Sequence, residues 1–235
     1  MPSGAVWKKR GSPSNLLPEF LNAGETALVV EFGKTVDPRL HDEVLALDAA
    51  LAAASVDGVV ETVPTYRSLM VHYDPRKLDR EALAERIETL LERSDKPALT
   101  PAKRSVPVCY EPPYAEDLPA LAQALGIDEA RVVALFGAAT YRLYMYGFLP
   151  GFAYLGKLPK ELEIPRRATP RPPVPPGAIL VVGEQVVIAG VAMQTGWYMI
   201  GRMPLRLFDL ERDPPFSFAV GDEVTFEPIA AADFA

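Results

Sequence analysis

The sequence predicts an α+β protein in two unlike halves, a small α/β sandwich followed by a β-barrel. Three observations carry that expectation. Helix-period and strand-period segments alternate up to about residue 103, and after residue 137 only short strand-like runs remain. The 24 prolines concentrate in the second half, as separators of short strands rather than helices. Apolar residues make up 49% of the 235, so the chain can bury a sizeable core.

The elements follow in order. Residues 1–22 read as a flexible tail, with charge but no apolar run to serve as a secretory signal. "TALVVEF" (26–32) is a β-branched and aromatic strand. Asp37 is a good helix N-cap and Pro38 suits the first helical position. Leu40, Val44, Leu47 and Leu51 then form one apolar stripe. Gly58 ends that segment. "VVETV" and "SLMVHY" are strands around the turn Pro64–Arg67, with Leu69, Val71 and Tyr73 on one face. Asp79 caps a second helix, whose stripe is Leu83, Ile87, Leu90 and Leu91. "SVPVCY" is a further strand. The order β-α-β-β-α-β is the ferredoxin-like pattern, in which two helices cover one face of an antiparallel sheet. The polar linker "RSDKPALTPAKR" leaves open whether the last strand belongs to the second half. The boundaries drawn are 23–103 and 104–235.

Two short helices open the second half. Leu118, Leu121, Ala122 and Leu125 line one, ended by Gly126, and Asp128 caps the next, which carries Val132, Val133, Leu135 and Phe136. The strands are "YRLYMYGF", "AILVVGE", "QVVIAGVAM", "WYMIGRM", "LRLFD" and "EVTFEPI".

Several function classes drop out. A net charge of −7 argues against a nucleic-acid binder, which needs a basic surface. One cysteine, Cys109, allows no internal disulfide and no cysteine-based zinc site, and it reads as a small buried hydrophobe. No 18-residue apolar run is present, so a cytoplasmic protein is expected. There is no P-loop, G-x-G-x-x-G, G-x-S-x-G or H-E-x-x-H. His41 reads as lying on the polar side of the first helix and His72 on a strand; neither has a spaced partner, and no metal site is expected.

What remains is one stretch, "YGFLPGFAYLGKLPKELEIPRRATPRPPVPPG" (146–177). Gly147, Gly151 and Gly156 permit close backbone approach, and Phe148, Phe152 and Tyr154 offer flat apolar walls. The prolines hold the following segment extended. Arg166, Arg167 and Arg171 are then placed either to grip a carboxylate or phosphate, or to pair with the chain's own acids across an exposed crossover. "MQTGWYMIGRMP" adds Gln194, Thr195, Trp197 and Arg202 between glycines.

Taken together, "YMYGFLPGFAYLG", "IPRRATPRPPVPPGAI" and "GWYMIGRMPLRLFD", with "TALVVEFG", "YRSLMVHYDP" and "VPVCY" upstream, closely resemble the family of 5-oxoprolinase B subunits. The same family is known as allophanate hydrolase subunit 1 or the Kip-type sporulation-kinase inhibitor, and the resemblance runs from about Glu25 to the C-terminus. It implies a cyclophilin-like second domain. It implies a non-autonomous subunit that, with the A and C subunits as partners, opens 5-oxo-L-proline to L-glutamate using ATP. The family also includes inhibitors of a sensor histidine kinase and subunits of the allophanate hydrolase or urea carboxylase type. Carried over by position, the implied substrate-binding residues are Arg166, Arg167, Arg202, Phe152, Tyr154, Gln194 and Trp197; no catalytic residue is assigned. "GEQVVIAG" and "AMQTGW" depart from the family pattern at Val186–Val187 and Gln194–Thr195, which implies altered turns beside the substrate.

Overall fold

The structure, a computed structural model, describes residues 18–92 and 100–234. Residues 1–17 of the expected tail and 93–99 of the expected linker lie outside the described residues. The chain divides into two compact units, Met1–Thr100 and Pro101–Ala235. Among the described residues, no helix is long and apolar enough to cross a membrane.

The first unit is an antiparallel sheet with two helices on one face. Its strands are β1 (Glu19–Asn22), β2 (Ala27–Glu31), β3 (Val59–Pro64) and β4 (Ser68–Tyr73), in the order β1-β2-β4-β3. Helices α1 (Pro38–Ala54) and α2 (Arg80–Glu92) start where their caps predict. Asp37 accepts the Arg39 N–H at 2.8 Å, and Asp79 accepts the Ala82 N–H at 2.8 Å. Period-two alternation along the strands sends Leu28, Val30, Leu69, Val71 and Tyr73 to one face. There they meet Leu40, Val44, Leu47 and Leu51 of α1 and Leu83, Ile87 and Leu90 of α2.

Three details differ from the sequence expectation. The sixth element of the βαββαβ pattern, β5 (Lys103–Cys109), lies in the barrel, so the first sheet lacks the last strand of the expected ferredoxin-like pattern. Its vacant edge goes to β1, cut from the segment read as tail: a hairpin to β2 is local and needs no long crossover. His41 is fully buried rather than polar-facing, because α1 buries an arc wide enough to include Val44, Leu45, Ala46 and Leu47 in succession.

The second unit is a closed seven-stranded barrel. Besides β5, its strands are β6 (Tyr141–Tyr146), β7 (Ala153–Leu155), β9 (Ala178–Val182), β10 (Gln185–Ile188), β12 (Tyr198–Arg202) and β13 (Glu223–Ile229), in the order β10-β7-β6-β13-β5-β12-β9. The β5–β13 pair is parallel, and closure leaves the barrel no free edge. Helices α3 (Leu118–Leu125) and α4 (Glu129–Gly137) bridge β5 and β6 and add Leu118, Leu121, Val132 and Phe136 to its core. Cys109 is buried, as read.

Alternation along β9, β10 and β12 sorts side chains to two sides. Ile179, Val181, Val186, Ile188 and Ile200 join the main core. Ala178, Leu180, Val187 and Met199 form a second apolar cluster with Phe152, Val174 and Ala189. That cluster is covered by a two-stranded ribbon of β8 (Arg171–Val174) and β11 (Met193–Thr195), paired Val174 to Met193 and Arg171 to Thr195. The proline-rich run therefore supplies a strand of this ribbon. Prolines are tolerated there because an isolated ribbon has no inner ladder for them to break.

The expected strand "LRLFD" does not form. Its region makes a single bridge, Phe208 to Phe216. The Arg212 guanidinium donates to the carbonyls of Arg206, Leu207, Pro214 and Pro215 and so holds the loop together, beside the backbone bonds from Ser217 N–H to Leu207 O and from Asp209 N–H to Pro215 O.

Candidate functional site

The candidate site lies on the side of the barrel that carries the ribbon. A tight turn after β6 supplies the aromatics. Phe152 N–H donates to Leu149 O at 3.0 Å, and Gly147 N–H donates to Phe152 O at 3.1 Å. Gly151 has φ +70, and a Cβ there would lie 2.7 Å from Phe208 Cβ, so glycine is required twice over. Phe148 holds φ +69, a region non-glycine residues rarely adopt, and its ring is 71% exposed. Phe152 is buried beneath it, edge-on to Phe148 at 5.5 Å and to Tyr154 at 5.1 Å. Tyr154 is half-buried, and desolvation raises its phenol above the ordinary value. With Trp197, also half-buried, Phe152 and Tyr154 share the second apolar cluster.

The arginine segment sits against the start of β12. Arg167 N–H donates to Gly196 O at 3.0 Å. Arg166 lies across Gly196, where a Cβ would fall 2.7 Å from its Nε. Arg166 is exposed and has no carboxylate partner among the described residues. Its neighbours are committed elsewhere. Arg167 donates from Nη1 to Asp117 Oδ1 at 2.8 Å and stacks over Tyr198 at 5.2 Å. Arg171 is 5% exposed, donates to Asp117 Oδ2 at 2.7 Å and also pairs with Glu116. The guanidiniums of Arg167 and Arg171 each retain a buried Nε–H without a hydrogen-bond acceptor among the described residues.

Asp117 is the hub that sequence reasoning missed. Besides the two arginines, its Oδ2 accepts the Met199 N–H at 2.8 Å, while its own N–H donates to Met199 O at 3.0 Å. Asp117 stands at the N-cap of α3, but its side chain makes no cap hydrogen bond. A cap is the role its sequence position suggests, and nothing local announces partners 50 and 54 residues away.

The remaining candidates fall as follows. Gln194 is exposed on β11, and buried Thr195 accepts the Trp197 N–H on its hydroxyl at 3.2 Å. Arg202 sits at the opposite end of β12, donating to Pro176 O at 3.0 Å and lying 5.2 Å over the Phe234 ring. Val186 and Val187, expected in an altered turn, are buried strand residues of β10 facing the two clusters. Among the described residues, no group of three or more His, Cys, Asp or Glu forms a metal cradle.

Residues 18–218 match the family model of the carboxyltransferase domain, subdomain C and D. The chain is 36% identical over 208 residues to the 5-oxoprolinase B subunit of Escherichia coli O157:H7, covering 87% of this chain and 93% of that protein. It is 28% identical over 222 residues to the 5-oxoprolinase B subunit of Bacillus subtilis (strain 168), covering 90% and 92%. The solved structure of TTHA0988 superposes with a TM-score of 0.77 at 33% identity, over 87% of this chain. The match takes in only 40% of the longer TTHA0988 chain. The family match takes in the α/β unit and the barrel with its arginine ribbon as far as residue 218, and these two curated relatives match nearly end to end, so the chain belongs to the carboxyltransferase domain family, subdomain C and D, alongside the 5-oxoprolinase B subunits.

Proposed function

We propose that this chain is the B subunit of a cytoplasmic, ATP-dependent 5-oxoprolinase that converts 5-oxo-L-proline to L-glutamate together with A and C subunits. The observation that carries the reading is the 36% identity to the Escherichia coli protein over 93% of that protein's length. With it goes a finer fold assignment: a ferredoxin-like domain over 23–103, completed from outside those bounds by β1 (Glu19–Asn22) in the place of its fourth strand, and a cyclophilin-like barrel over 104–235.

The geometry supports a binding role for this chain. A lactam carbonyl is a poor electrophile, and coupling its opening to ATP supplies the driving force. The ring must still be held by its carboxylate while the C–N bond is cleaved. Arg166 fits that carboxylate, or a phosphoryl oxygen, because its guanidinium fork is exposed and not spent on an acid among the described residues. Trp197, Phe152 and Tyr154 supply a flat apolar flank, with Gln194 as a polar contact at its edge. Arg167 acts here as framework for that surface through Asp117, while Arg202, at the far end of β12, donates to Pro176 O. The chain's part in the reaction is to bind and orient.

The test is to co-express the chain with candidate A and C subunits and to measure 5-oxoproline-dependent ATP hydrolysis and glutamate release. Both are expected from the assembled complex. A complex that assembles and shows neither overturns the reading.

A further inference from the structure

The segment bearing Arg166 has little to hold it. Residues 165, 166 and 168–170 are exposed, so they gain little from apolar burial. Pro165 and Pro170 have no N–H to donate. Among the described residues, the only backbone hydrogen bond made by residues 165–170 runs from Arg167 N to Gly196 O. Yet Arg166 lies in a defined place across Gly196.

We propose that Asp117 is the positioning residue of this site, fastening the arginine segment to β12 and so holding Arg166 across Gly196. The inference rests on the reading of Arg166 as the substrate's anion contact. Asp117 takes one arginine on each oxygen, Arg167 on Oδ1 and Arg171 on Oδ2; these two residues bracket 168–170, and Arg166 directly precedes the first of them. It grips β12 through both the N–H and the carbonyl of Met199. That place on β12 is open because β5 pairs with the strand only at Arg202. Both carboxylate oxygens are occupied and the residue is 7% exposed, so Asp117 does not contact substrate itself. It acts through Arg166.

Two measurements test this. In the assembled complex, Arg166→Ala and Asp117→Asn are each expected to raise KM for 5-oxoproline about tenfold, the scale of one charge-assisted contact. The double variant is expected to be no worse than either single. Multiplying effects would overturn the proposal, because a residue that only stabilises the barrel would act independently of Arg166.

The second measurement needs no activity. The chain has two tryptophans, Trp7 and Trp197, so Trp7→Phe leaves one reporter beside Gly196. The Arg166 charge is expected to favour iodide over acrylamide quenching of Trp197. Arg166→Ala and Asp117→Asn are each expected to lower that iodide-to-acrylamide ratio. A wild-type ratio in a folded Asp117→Asn protein overturns the proposal. If Asp117→Asn does not fold, Asp117→Glu keeps the charge but lengthens the arm, and a wild-type ratio there overturns it equally. A wild-type complex without 5-oxoproline turnover would sink the functional reading alone, and the quenching ratio would still judge Asp117.

Discussion

Arg171 donates to Asp117 across 2.7 Å, although 54 positions separate them in the chain, and the arginine side chain is only 3% exposed. A buried ion pair contributes little relative to a well-packed apolar pair, but breaking one side strands a charge. Asp117→Ala would leave Arg171 with Glu116, whose side chain is 54% exposed, and Arg167 without its acid. The expected cost is about 3–5 kcal/mol of unfolding free energy, read from urea melts. Arg167→Gln, which removes the more exposed arm, should cost less.

Gly196 and Gly190 make a contrast. A Cβ at Gly196 meets the flexible side chain of Arg166, whereas one at Gly190 meets the backbone of Pro150 and Gly151. Gly196→Ala is expected to displace Arg166, raising KM for 5-oxoproline with little change in Tm. Gly190→Ala is expected to lower stability by about 1–3 kcal/mol, because a packed backbone cannot step aside. Equal Tm losses in both would refute the distinction.

Phe136 is fully buried, stacks on Phe226 at 5.0 Å and packs tilted by 33° against Tyr141 at 4.9 Å. Tyr141 also donates its hydroxyl to the Phe136 carbonyl at 3.0 Å. Phe136→Ala should cost about 3–5 kcal/mol in a denaturant titration, while Phe136→Leu should cost distinctly less.

Asp37 and Asp74 each have their carboxyl lowered to about 2, first by the side chain and then by the backbone N–H of the arginine two residues on, Arg39 and Arg76. A lowered carboxyl adds stability above its ordinary value of 3.8 and loses it as pH falls toward 2. Asp37→Asn keeps a cap acceptor but loses the charge. Its Tm should fall slightly below wild type at pH 6, and the gap should close as pH approaches 2. A gap that persists at pH 2 would locate the effect in the hydrogen bond and not the charge.

Much of the fold was legible locally. The stripes of α1 and α2, the caps Asp37 and Asp79, and the alternation of Leu69, Val71 and Tyr73 are short-range patterns, and the structure reproduces them. The aromatic turn around Gly151 was legible for the same reason, since its glycine requirement is a backbone property of that position.

Other features depended on what the chain meets at a distance. Nothing within "SVPVCY" says that its neighbours are β12 and β13, because a strand's own residues do not choose which sheet receives it. Arg166, Arg167 and Arg171 look alike in sequence. Only the fold separates them, by bringing Asp117 under two of the three and leaving the third exposed. The sequence by itself determined the helices, the caps, the turn chemistry and the family. The tertiary structure decided which charges are spent on one another, because a carboxylate's partner is set by what approaches within about 4 Å and not by order along the chain.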